Sequence, residues 1–298
     1  MKKLLTAFIT IFALIGFISL FFVIFNPKYF NTSFSVDTEL ASKFGEFFGG
    51  YIGTLFSILS VLLLIYSIYN QNIEAKKTES RNHFFKMIDY HNENVRSLSI
   101  QHIDLDKDYK SDGRRAFVVF KIQIHELLRL VEEINKKNNY KFNQTEIIDI
   151  TYIVFFFGID SGWILFIKEK LKKYPYHEAL IEELLIKIEQ NAHLKLGRTN
   201  QTSLSTYFRN MYNAIKLIDD NKFLSIDEKK DLIKIYRAQL SNPELYVLFF
   251  NVVSRFGKKW KEKKYITRYE FIKNIPTGYC DGYDPKIFFP ITYEEEEL

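Results

Sequence analysis

Three observations predict an all-α chain, with an N-terminal two-helix transmembrane hairpin followed by an α-helical cytoplasmic domain. Two long uncharged apolar runs lie near the N-terminus. Apolar residues recur at spacings of three and four through most of the remaining chain, and no alternating Val- and Thr-rich run interrupts them.

The first run, LLTAFITIFALIGFISLFFVIF, covers 4–25, and the second covers 47–69. At the helical rise each spans about 33 Å, enough for a hydrocarbon layer of about 30 Å. Lys2 and Lys3 also suit a secretory signal, but the first run exceeds a signal core of about 7–15 residues. Its exit, FFVIFNPKYF, lacks a small-x-small cleavage site, which favours an uncleaved helix. Lys2, Lys3, Lys76, Lys77, Arg81 and Lys86 flank the outer ends of the two runs, against Lys28 and Lys43 between them. That bias places both termini in the cytoplasm. The domains expected are a hairpin over 1–70 and a cytoplasmic domain over 71–298, with the lipid bilayer as the first partner.

Gly45, Gly49, Gly53 and Ser57 put a small residue at every fourth position of FGEFFGGYIGTLFSILSVLLLIYSIYNQ. On an α-helix they form one smooth face that a second backbone can approach. That backbone is either the first helix, where Gly16 is a thin counterpart, or a second copy in a homo-oligomer.

Past Gln71 the period continues through Phe84, Ile88, His91, Val95 and Leu98, predicting one helix from the apolar run through an amphipathic arm at about 71–98. DKDYKSDG, 106–113, reads as a turn, and Phe117, Phe120, Ile124, Leu127, Val131 and Ile134 stripe the next helix. Asn143 with Glu146, and Ser225 with Glu228, read as capping boxes. Asn242 reads as an N-cap with Pro243 at the first helical position, and Gly257 as the stop of that helix. Further helices are expected over 178–190 and along Leu204, Phe208, Met211, Ile215 and Ile218, separated by a polar loop at 191–202. The apolar segment 147–167 is long enough for a membrane span, but Asp149, Asp160 and the break GIDSG favour a buried core. The tail 275–290 shows no clear period.

A single cysteine, Cys280, excludes an internal disulfide and a multi-cysteine zinc site. With 41 basic and 36 acidic residues the net charge is +5, too little for dedicated nucleic-acid binding. No phosphate loop, nucleophile elbow, paired-histidine metal motif or zinc spacing is present, so neither cofactor nor metal is expected.

Four stretches resemble the phage abortive infection proteins, an AbiC-like family of bacterial membrane proteins. They are the glycine-striped helix with the following HFFKMIDYHN; DGRRAF; YFRNMYNAIKLID; and YRAQLSNPELYVLFFN. The resemblance implies antiviral defence by arrest or death of the infected cell, and it makes the expected membrane the bacterial inner membrane. It transfers no catalytic residues, and Asn210 stands where the family more often carries histidine.

The family-motif residues that are candidates for binding a phage-derived trigger or partner are Tyr207, Phe208, Arg209, Arg237, Gln239, Ser241 and Glu244. Arginine offers a planar fork for phosphate or carboxylate, while a plain structural reading pairs Arg237 with Glu244 and caps the helix with Ser241 or Asn242. Arg96 and His102 match the loose spacing of a family of helical ribonucleases, in which such a pair polarises a phosphate and moves a proton. The basic run GKKWKEKKYITR, 257–268, suits lipid headgroups, a nucleic-acid groove or a solvated surface. The chain is thus expected to be a defence protein that senses infection and disrupts the membrane, a membrane-tethered ribonuclease toxin, or a non-enzymatic module that recruits another effector.

Overall fold

The computed structural model describes residues 2–25, 38–104, 107–191 and 199–296. Among the described residues the chain is all-helical apart from one small hairpin, and it divides into two compact units, Met1–Glu79 and Ser80–Leu298.

The first unit contains α1 (Lys2–Ile24), α2 (Thr38–Phe47), a π turn (Phe48–Ile52) and the start of α3 (Gly53–Arg96). Among the described residues one helical run, Thr38–Arg96, is long and apolar enough to cross a membrane, and Thr6–Phe22 is a shorter apolar stretch. Only 6% of the apolar window in the long run is buried. Two of its serine hydroxyls bond along the helix itself, Ser57 Oγ donating to the Gly53 carbonyl and Ser60 Oγ to that of Phe56, both at 2.8 Å.

The π turn changes the expected glycine face. Gly53 N–H donates to the Phe48 carbonyl, five residues back, which inserts one residue relative to an α turn. The row is therefore offset about the axis between Gly49 and Gly53 and is not one straight stripe. Among the described residues, a Cβ at Gly45 or Gly49 would meet no atom within 4 Å, while one at Gly16 would lie 3.8 Å from the Phe56 ring.

In the second unit α3 ends at Arg96, short of the expected Leu98. An antiparallel hairpin follows, β1 (Ser99–Asp104) with β2 (Lys107–Asp112), in register from Ser99 opposite Asp112 to Asp104 opposite Lys107. Here the structure corrects the expected turn: most of 106–113 is strand, and residues 105–106 lie outside the described residues. The strands lack β-branched alternation, so their pairing rests on the backbone ladder rather than on a readable pattern.

The helices α4 (Arg115–Asn138), α5 (Gln144–Phe157), α6 (Ile164–Leu171), α7 (His177–Glu189), α8 (Thr199–Asp219), α9 (Ile226–Arg237) and α10 (Asn242–Val253) form the body of this unit. Short helices α11 (Lys258–Glu262), α12 (Tyr265–Arg268) and α13 (Pro285–Phe288) complete it. Of the expected polar loop at 191–202, residues 192–198 lie outside the described residues and 199–202 already belong to α8.

α10 is buried on every face from Glu244 to Val253, and α5 from Ile147 to Phe156. Both pack against α4, whose Phe117, Phe120, Ile124, Leu127, Val131 and Ile134 point inward. The apolar segment around Asp149 is thus core. Both expected capping boxes are present, Asn143 with Glu146 and Ser225 with Glu228. The start of α10 is corrected by one residue, because Ser241 is the N-cap and its box closes on Glu244. Gly257 does not end α10, which stops at Val253; a Cβ there would collide with the Val252 backbone, so glycine permits a close approach.

Asp149 ties α5 to the chain beyond α10. It accepts from Arg255 N–H (2.7 Å), Arg255 Nη2 (2.7 Å) and the Tyr174 hydroxyl (2.5 Å), and Arg255 Nη1 also donates to the Lys170 carbonyl at 2.8 Å. Burial opposes ionisation of Asp149, but the Arg255 and Tyr174 bonds outweigh it and hold the carboxyl below the usual range.

Candidate functional site

Amphipathic periodicity brings a helix face inward without regard to the chemistry it carries, and on α3 that face holds a histidine. Phe84, Ile88, His91 and Val95 are its buried residues, so His91 enters the core of the second unit. Its ring lies 4.6 Å from that of Tyr207 (α8) and 5.1 Å, edge-on, from that of Tyr236 (α9). Glu244, fully buried in the first turn of α10, presents Oε1 3.8 Å from His91 Nε2. The Tyr207 hydroxyl donates to the same oxygen at 3.4 Å, a long bond.

The other carboxylate oxygen is held tightly. Glu244 Oε2 accepts from Ser241 N–H at 2.8 Å and from Ser241 Oγ at 2.6 Å. Arg114, at the start of α4, brings Nε to 3.8 Å while half its side chain remains in solvent, and its Nη2 donates to the Gln239 carbonyl at 2.7 Å. Burial works against the Glu244 charge, yet the His91 imidazole and the Ser241 donors hold its carboxyl below the usual range. Burial also raises both tyrosines well above their ordinary range, with the Glu244 charge adding to it, so both are neutral phenols.

The centre is incompletely satisfied. Both ring nitrogens of His91 and the Tyr236 hydroxyl are buried without a hydrogen-bond partner among the described residues. Each such group costs about 1–3 kcal/mol. The 3.8 Å separation of imidazole and carboxylate is longer than a hydrogen bond. What the arrangement offers chemically is a polar latch between α3 and α8, α9 and α10. Among the described residues no cluster of metal-ligating side chains occurs.

Of the residues singled out in sequence, Tyr207, Ser241 and Glu244 meet here, and Phe208 packs edge-on against Tyr207 at 5.0 Å. Gln239 contributes its backbone carbonyl. Arg209 is exposed on α8, and Arg237 Nη1 donates to the Glu270 carbonyl at 2.8 Å, so Arg114 rather than Arg237 faces Glu244. Asn210 bonds the Met87 carbonyl of α3 at 2.8 Å. Arg96 is exposed at the end of α3 and His102 lies on β1 opposite Tyr109, two separate elements. In the basic run Trp260 and Tyr265 are buried, so neither ring offers a face to a nucleobase.

Sequence reasoning missed His91, Arg114 and Tyr236 as site residues. Each nevertheless lies in a stretch that carries the family resemblance: His91 in HFFKMIDYHN, Arg114 in DGRRAF and Tyr236 at the head of YRAQLSNPELYVLFFN. With Tyr207 from the YFRNMY stretch, all four meet around the His91–Glu244 pair, Tyr236 through the His91 ring.

Residues 199–279 match the family model "Putative phage abortive infection protein". Neither a curated protein nor a solved structure matches the chain. The abortive infection match spans roughly a quarter of the sequence, from the start of α8 to Tyr279, and includes Tyr207, Tyr236, Ser241 and Glu244. His91 and Arg114 reach the same centre from outside the matched segment.

Proposed function

We propose that the chain is a membrane-anchored bacterial protein of abortive infection, which senses phage through its second unit and disables the infected cell by membrane disruption. The observation that carries this reading is the match of 199–279 to the abortive infection family. The exposed apolar surface of the first unit, including Phe8, Leu14, Phe17, Phe21, Leu63 and Leu64, supports residence in lipid, because a patch of that extent is costly in water. With the flanking cations, it favours a hairpin of the two apolar helices in the inner membrane with both termini cytoplasmic. A phage-derived trigger would act on the second unit. His91 and the apolar run lie on the same helix, α3, so a change at the His91–Glu244 latch has a route along one element.

The test is membrane potential followed alongside total RNA integrity in expressing cells during phage infection. Depolarisation with intact RNA is expected. RNA cleavage before depolarisation would sink the membrane reading and turn attention to Arg96 and His102.

The open side of Gly45 and Gly49 supports contact with a second copy. Gly49→Leu with Gly53→Leu is expected to abolish phage protection at unchanged expression, scored by plaque counts, and intact protection would remove the packing role. His91→Phe keeps the ring packing but deletes the titratable nitrogens. We expect its unfolding midpoint to stay within about 4 °C of wild type while protection is lost. A latch that served only stability would leave protection whole.

A further inference from the structure

The first turn of α5 and the segments around 173 and 253–261 enclose an open cleft of about 370 Å³. That volume is within the range of small-ligand sites. Lys173, Arg255 and Lys261 line it, against the buried Asp149 and a Glu146 already committed to the Asn143 capping box. Arg255 and Tyr174 occupy the Asp149 oxygens. Lys173 Nζ, 3.2 Å from Oδ2, is therefore a second cation on a carboxylate that is already paired. Among the described residues Lys261 has no carboxylate partner, and its ammonium donates to the neutral Val253 carbonyl at 2.9 Å. Burial pushes the Lys261 ammonium below its ordinary range, a penalty that a bound anion would relieve.

We propose that this cleft binds a phosphate group, gripped by Lys173 and Lys261 against the wall formed by Arg255. Three cations face two carboxylates, so the cleft keeps one net positive charge that favours an anion, and lysine is a frequent phosphate ligand. The Thr145 hydroxyl and the Asn143 amide at the rim supply neutral partners. This inference is independent of the abortive infection reading, since it rests on the cleft and its charges alone.

The full chain in neutral phosphatidylcholine nanodiscs tests it, with thermal unfolding as the readout. One arm titrates inorganic phosphate and then ADP; the other replaces part of the lipid with phosphatidate and omits soluble phosphate. Wild type and Lys258→Glu, a charge reversal at an exposed neighbouring lysine, should show a saturable rise in midpoint. Lys173→Glu with Lys261→Glu should weaken it about tenfold or more. The arm that responds identifies a soluble phosphate or a lipid headgroup as the source. An equal response in the double variant, or none in either arm, overturns the proposal. Lys173→Gln with Lys261→Gln replaces the reversed pair if that pair fails to fold.

Discussion

Replacing Glu244 with alanine is expected to lower the stability of the second unit by about 3 kcal/mol, the largest single loss among side chains of the candidate site. Two independent costs add. The alanine removes the acceptor of the Ser241 N–H and hydroxyl bonds, and with it the cap of α10, a helix buried on every face. It also leaves Tyr207, Tyr236 and His91 around a cavity, with one more buried hydroxyl unpaired. Glu244→Gln keeps the volume and the acceptor, so it should lose much less. Urea unfolding of the solubilised chain measures both, and an unchanged m-value would place the effect in the folded state. A loss for alanine no larger than for glutamine would mean that volume and capping matter little here.

The second large effect is expected at Asp149. Asp149→Asn leaves the guanidinium of Arg255 without a counter-charge and turns an amide N–H₂ toward it or toward the Tyr174 hydroxyl, at a cost of about 3 kcal/mol. Arg255 is partly solvated, which keeps the figure at the lower end for a broken buried pair. Combining Asp149→Asn with Arg255→Met should recover most of the loss, because the uncompensated charge goes with the arginine. A double variant as unstable as the single one would show that the damage is to packing rather than to charge.

Asp149 and Glu244 also contribute to the acid limit. Both carboxyls are held below the usual range in the folded chain. A depressed carboxyl contributes stability that is fully present above the unfolded value, about 4, and is lost as pH falls through the depressed one. Melting temperature should therefore hold as pH is lowered to about 5 and then drop steeply below about 4. In Asp149→Asn the same drop should be shallower.

Much of the fold was legible because its signals are local. A capping box needs only the side chains at its two ends, and those of Asn143–Glu146 and Ser225–Glu228 appear where the residues predict them. The inward stripe of α4 follows from the helical period alone. At α10 two cap-capable residues stand side by side, and the choice of Ser241 over Asn242 depends on Glu244 reaching back to Ser241 N–H. The hairpin at 99–112 gave no signal because its strands carry polar residues with little alternation, so no face is marked for burial. The tail beyond 275 showed no period because it is anchored residue by residue. Tyr283 bonds Glu132, Tyr246 bonds Asp281, and Cys280 is buried.

The candidate site was half legible. Glu244, Ser241 and Tyr207 stood out in the segment that matches the abortive infection family, but His91 read as one more member of an apolar stripe and Arg114 as a residue in a motif. Nothing near His91 along the chain announces that neither ring nitrogen makes a hydrogen bond among the described residues, since its neighbours in space come from α8, α9 and α10.

The same division holds for the two most apolar parts of the chain. Composition established that the early runs and the stretch after Asn143 must leave water, since hydrophobic cost depends on surface area and not on position. It could not say what would cover them. In the second unit α5 is enclosed by protein and its one buried carboxylate, Asp149, is paired with Arg255, while the apolar run of Thr38–Arg96 remains almost uncovered. Residue chemistry decided what had to be hidden, and tertiary packing alone decided which helix the protein hides itself.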